Sequence, residues 1–185
     1  TLARLGRFAE AEPSFRQAVV LKPDDAESHN FLGHTLRALG RLEDAEASYS
    51  QATILKPSYA EFHNNLGSVL RELGRLGEAE ASYMAAIALR PNFSGAHNNL
   101  GNTLKGLGRL DEAEASYMSA IAFKSNFFQA YNNLGNTLKG LGRLEEAEAS
   151  YSKAIALKPD YADAFFNQGG MLRSMGRSEE AEASY

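Results

Sequence analysis

The chain has 185 residues, no cysteine, 44% hydrophobic residues and a formal net charge of -4. That charge offers nucleic acid no general attraction, and without cysteine there are no disulfides, thiolate chemistry or cysteine-based zinc sites. No apolar run approaches the roughly 20 residues that a membrane-spanning helix needs, so neither nucleic acid nor a membrane is expected as a partner.

Taken in chain order, residues 1–25 read as the tail of a helical unit, with Pro13 expected to bend or shorten its helix. Four full units follow at 26–59, 60–93, 94–127 and 128–161, and residues 162–185 begin another. The boundaries come from interleaved series with one 34-residue step: Gly33, Gly67, Gly101, Gly135, Gly169; Ala45, Ala79, Ala113, Ala147, Ala181; and Tyr49, Tyr83, Tyr117, Tyr151, Tyr185. Pro23, Pro57, Pro91 and Pro159 keep the same step, with Ser125 interrupting. Asn98–Tyr117 and Asn132–Tyr151 differ only at Asp111 against Glu145.

Each unit contains two helical stretches. In 94–127, His97, Leu100, Leu104 and Leu107 form an apolar stripe at helical spacing, and Gly108 ends that helix with a left-handed turn. A second helix is predicted over Leu110–Phe123, with Ala113, Tyr117, Ala120 and Ile121 inward and Asp111, Glu112 and Glu114 near its positive end. Proline at the end of each unit is expected to stop the second helix. Gly101 and Ala113 are small because the two helices must approach closely there. So short a pair cannot bury enough surface alone, and stacking completes the core.

This pattern resembles the tetratricopeptide repeat family over the whole chain. In 60–93 the motif positions are His63, Leu66, Gly67, Ala79, Tyr83, Ala86 and Pro91, with departures elsewhere at Gln168 and Ser125. The resemblance implies an all-α fold: helical hairpins stacked in a right-handed α-solenoid superhelix, forming one domain over 1–185. It also implies a noncatalytic role in protein–protein interaction, with the partner held on a concave face.

A helical wheel puts positions 4, 7, 8, 11 and 14 of each first helix on one arc, as packing residues, and positions 2, 5, 6, 9, 12 and 13 opposite. In the family, the second arc lines the groove. Position 5 holds Asn30, Asn64, Asn98, Asn132 and then Phe166; position 6 holds Phe31, then Asn65, Asn99, Asn133 and Asn167. Position 9 holds His34, Ser68, Asn102, Asn136 and Gly170, and position 12 holds Arg37, Arg71, Lys105, Lys139 and Arg173. Asparagine is a mediocre helix former, so local propensity does not explain these rows. An amide can both donate to and accept from a peptide backbone whatever its sequence. The rows could equally hydrogen-bond to one another and lock the stack. The position-6 asparagines resemble the asparagine ladder in the superhelical repeats of O-GlcNAc transferase, which implies a grip on extended peptide backbone. The family's carboxylate-clamp members carry lysine at position 5, where this chain has asparagine or phenylalanine, so binding of chaperone C-terminal tails is disfavoured. The position-12 cations suit the negative end of a helix dipole; as a shared positive stripe they would favour acidic peptides.

His29, His63 and His97 share position 4 with Tyr131 and Phe165, which marks a packing site rather than a metal site. No cofactor or catalytic constellation is expected: serines lack a structured partner set, and the glycines lack a strand–loop–helix context. Asn92-Phe93-Ser94 matches a glycosylation sequon; a cytoplasmic setting is slightly favoured by the absence of cysteine and of a visible leader. Two further readings accompany the scaffold: a segment of an open-ended head-to-tail assembly, and a targeting module of a longer enzyme.

Overall fold

A computed structural model describes residues 6–182. Among them every regular element is an α-helix, and they divide between Pro91 and Asn92 into two compact units. Unit 1 holds α1 (Phe8–Leu21), α2 (Ala26–Ala38), α3 (Leu42–Leu55), α4 (Ala60–Glu72) and α5 (Leu76–Leu89). Unit 2 holds α6 (Ser94–Gly106), α7 (Leu110–Phe123), α8 (Phe128–Gly140), α9 (Leu144–Leu157), α10 (Ala162–Ser174) and α11 (Ser178–Glu182). The predicted second helix over Leu110–Phe123 coincides with α7.

Within each unit, a first helix pairs with the second helix that follows it: α2 with α3 and α4 with α5 in unit 1, and α6 with α7 and α8 with α9 in unit 2. The turn inside each hairpin is set by glycine. Gly40, Gly74, Gly108, Gly142 and Gly176 have φ of +76° or +77°, where a side chain would clash with the backbone. Around Gly108 the Arg109 N–H donates to the Leu104 carbonyl at 2.9 Å, and the Gly108 N–H to that of Lys105 at 3.0 Å. This is a Schellman ending, which satisfies carbonyls the helix leaves open.

The contact that closes each hairpin joins glycine and tyrosine. A Cβ on Gly33, Gly67, Gly101 or Gly135 would lie 2.6–2.9 Å from the ring of Tyr49, Tyr83, Tyr117 or Tyr151 respectively. All four rings are fully buried. Where a further first helix follows in the same unit, it completes the core of the hairpin before it. In unit 1, Val69 of α4 joins Leu32, Leu36, Ala45 and Tyr49. In unit 2, Met171 and Leu172 of α10 join Leu138, Ala147 and Tyr151.

Several details differ from the sequence expectation. Pro13 does not shorten α1, which has the 14 residues of α3, α5, α7 and α9. Proline removes one N–H donor, and only one helical bond is lost so near the start. At Ser125, where proline is missing, α7 still ends at Phe123 as predicted, with Lys124 at φ -143° and ψ 88°, much as Lys158 before Pro159. The packing arc is also wider than expected. Position 10 is wholly buried as Thr35, Val69, Thr103, Thr137 and Met171, and position 3 is buried at Phe62, Ala96, Ala130 and Ala164. A first helix meets two second helices, its own and the preceding one, as α8 meets α9 and α7, so one wheel arc cannot hold its core.

Gly135 and Gly170 both lie inside first helices, but only Gly135 faces a ring. Gly135→Ala should lose roughly 1–3 kcal/mol from overpacking against Tyr151. Gly170→Ala, with nothing within 4 Å of the added carbon, should gain up to about 1 kcal/mol of helix propensity. Urea midpoints moving in opposite directions would bear this out; equal shifts would show that the ring does not govern the site.

Candidate functional site

The asparagine rows sit on the first helices, which adjoin side by side within each unit: α2 with α4 in unit 1, and α8 with both α6 and α10 in unit 2. In unit 1, Asn65 donates its Nδ2–H to Asn30 Oδ1 at 2.8 Å. In unit 2, Asn133 donates to Asn98 Oδ1 at 3.1 Å and Asn167 to Asn132 Oδ1 at 3.0 Å. Position 6 of one repeat therefore always reaches position 5 of the repeat before it within these units. Asn98 and Asn132 are buried, at 8% and 5% exposure; a polar side chain so placed needs a partner. Asn133 and Asn167 are half-buried. Each spends one N–H on its neighbour, and the amide keeps a second N–H and its carbonyl oxygen. Asn64 is half-buried and approaches Asn65 Oδ1 at 3.5 Å. The main-chain carbonyl of Asn99 accepts the Thr103 hydroxyl at 2.9 Å.

Position 9 has another neighbour. The Tyr117 hydroxyl donates to Asn102 Oδ1 at 2.8 Å, and that of Tyr151 to Asn136 Oδ1 at 2.9 Å. Tyr83 makes the equivalent bond to Ser68 at 3.1 Å. In the first full repeat the position is His34, which lies against the Phe8 ring at 5.7 Å and does not accept from the buried Tyr49 hydroxyl.

The five cations are not equivalent. Arg37 is ion-paired with Glu72 at 2.7 Å. Arg71 is half-buried, and its enclosed Nε has no hydrogen-bond partner among the described residues. Lys105 is half-buried, and burial lowers its pKa. Lys139 and Arg173 are exposed and make no ion pair among the described residues.

Another charged row was not picked out from the sequence. Arg75 chelates Glu78 of its own repeat and reaches back to Glu46 of the preceding one, both at 2.6 Å. Arg41 does the same with Asp44 and Glu12, and Arg143 with Glu146 and Glu114. The i,i+3 half of this fork was visible as a recurrent Arg-x-x-Glu or Arg-x-x-Asp; the other half spans 29 residues. Exposed ion pairs are individually weak, so the fork sets register more than stability. His29 and His63 bond to the carbonyls of Pro23 and Pro57 at 3.0 and 2.7 Å. No group of three or more His, Asp or Glu side chains suits a metal among the described residues.

Two-helix hairpins of 34-residue period, each closed by a glycine–tyrosine contact and joined by polar rows, define a helical-repeat protein. Models of the tetratricopeptide repeat match residues 1–60 and 32–92, 82–115, and 128–161; the chain belongs to the tetratricopeptide repeat family. The crystal structure of MamA is 27% identical, covering 87% of this chain and 94% of that one, with a TM-score of 0.78. YrrB, described as a TPR protein with an unusual peptide-binding site, is 25% identical over 92% of this chain and 88% of its own, at TM-score 0.72. PilW, a type IV pilus biogenesis factor, shares the fold at TM-score 0.91 and 24% identity, covering 99% of this chain and 85% of that one. Comparison with curated proteins returns no match.

The inter-amide bond can be measured. In a double-mutant cycle, Asn98→Ala and Asn133→Ala should show a coupling of roughly 0.5–1.5 kcal/mol in unfolding free energy; strict additivity would mean that the pair contributes nothing.

The site also has a pH signature. Burial pushes Tyr49 and Tyr151 up to about 12 from 10.0. The unfolded tyrosines lose their protons first, so stability is intact below about pH 10 and falls as the pH rises toward about 12. Lys105 has the opposite sign: its buried ammonium costs stability below its lowered pKa, and the cost is relieved toward pH 10.5. Lys105→Met should therefore raise the urea midpoint near neutral pH and lose that advantage above pH 10.5, whereas Tyr151→Phe should flatten the alkaline loss.

Proposed function

We propose that this chain is a noncatalytic scaffold that binds an extended peptide, or an extended segment of a partner protein, along the asparagine-bearing face of its first helices. The observation that carries this reading is the state of the position-6 amides. Asn133 and Asn167 are oriented by one hydrogen bond each, and what remains is one donor and one acceptor on a half-exposed side chain. A pre-oriented amide loses little freedom on binding and can pair with any peptide unit. The same hydrogen bonds also tie neighbouring repeats, so locking and recognition are compatible uses of one side chain. The peptide-binding site named for YrrB supports the reading by likeness. The exposed cations Lys139 and Arg173 add a preference for acidic partners.

A random peptide library panned on the protein supplies ligands for the test. Changing Asn65, Asn133 and Asn167 together to Ala should weaken the selected peptides by about one to three decades, at roughly 0.5–1.5 kcal/mol for each lost bond, with helicity kept. The control Asn30→Ala, Asn98→Ala, Asn132→Ala breaks the same three inter-amide bonds but spares position 6, and should change affinity only a few-fold. Equal losses in both variants would make the amides structural alone. Lys139→Gln, Arg173→Gln should remove the salt dependence of acidic peptides.

A further inference from the structure

The first full repeat breaks the amide pattern, and a pocket lies beside the break. Position 6 there is Phe31, 51% exposed and stacked on Phe15 at 5.7 Å. Position 9 is His34, which lies against the Phe8 ring and makes no bond to the Tyr49 hydroxyl. An open cavity of about 320 Å³ lies beside them in unit 1, lined by Phe8, His34, Arg37, Ala38 and Glu72. Its walls are thus two aromatic rings, a methyl group and an ion pair.

The ion pair is asymmetric. Arg37 Nε and Nη2 both fall on Glu72 Oε1, at 2.9 and 2.7 Å. Glu72 Oε2 accepts no hydrogen bond among the described residues, and its side chain is 31% exposed. A carboxylate can accept about four hydrogen bonds, so this oxygen can accept one from a ligand in place of solvent. Because Arg37 neutralises the carboxylate, the pocket does not call for a full positive charge. The guanidinium plane and the rings suit a flat apolar group.

We infer that this pocket is a specificity subsite for an aromatic side chain bearing a hydrogen-bond donor, tyrosine or tryptophan, of the bound peptide. The ring packs among Phe8, His34 and Arg37, and its O–H or N–H donates to Glu72 Oε2. The inference rests on the peptide-binding reading above. It adds a side-chain anchor to a face that otherwise recognises backbone, and so fixes the register of an extended ligand. Aromatic anchors commonly contribute much of recognition.

The test has two arms. In the first, N-acetyl-tyrosinamide is titrated at millimolar concentration against the isotope-labelled protein by NMR. The expected result is a saturable shift of the His34 and Ala38 resonances, several-fold weaker with the phenylalanine analogue. The shift should be absent in Ala38→Leu, which plugs the cavity with a side chain compatible with a helix end. No saturable shift, a shift that survives Ala38→Leu, or a lysine analogue binding as well as tyrosine would overturn the subsite. In the second arm, library-selected peptides are expected to carry Tyr or Trp at one fixed place. Replacing it with Ala should weaken binding at least tenfold in the parent protein and have no effect in Ala38→Leu. Selected peptides that bind as tightly without an aromatic residue would sink the subsite and leave the amide face standing. If no peptide binds at all, the amide-face reading fails, and the first arm decides the pocket alone.

Discussion

One steric constraint underlies the fold: tyrosine rings lie where the Cβ atoms of Gly33, Gly67, Gly101 and Gly135 would otherwise be. The approach lets two short helices share a fully buried aromatic side chain, and burying so large a group contributes roughly 1.5–3 kcal/mol per hairpin. Close packing has a directional consequence as well. The ring can enter from one side only, which fixes how the second helix crosses the first. Its hydroxyl then emerges at position 9, where Ser68, Asn102 or Asn136 accepts it. The polar row at that position is thus a product of the apolar contact beneath it.

Neighbouring hairpins are held by three kinds of contact with different physical characters. Apolar closure, as at Val69 and Met171, supplies most of the energy. The arginine forks and the asparagine bonds supply geometry, because a hydrogen bond forgives far less misalignment than a hydrophobic contact does. Stability of this kind accumulates between nearest neighbours, so a lost contact at one junction weakens that junction before it weakens the stack.

The same asparagines that hold adjacent first helices present unused hydrogen-bonding capacity. A face built in this way is ordered by its own inter-amide bonds. The first repeat lacks this arrangement: Phe31 and His34 replace the amides, and an aromatic pocket replaces the polar surface.

Periodicity determined much of the fold by itself. Five glycines, five alanines and five tyrosines in step specify paired helices, because only one geometry satisfies a small residue and a ring at that spacing in every unit. The turn at Gly108 and the span of α7 were legible for the same reason: both depend on local backbone chemistry. The rows at positions 5, 6, 9 and 12 were legible as rows, since a wheel needs only the helical step. What each side chain does on them was decided by tertiary structure. Whether Asn133 reaches Asn98, whether Arg37 meets Glu72, and whether Lys105 is half-buried depend on the neighbouring first helix, 34 residues away in the chain. Buried Thr137 and Ala130 escaped the wheel because α8 packs on both α7 and α9, and a single helix viewed alone has no second partner. The pocket at Phe8 and Glu72 combines three helices, so no one stretch of sequence contains it.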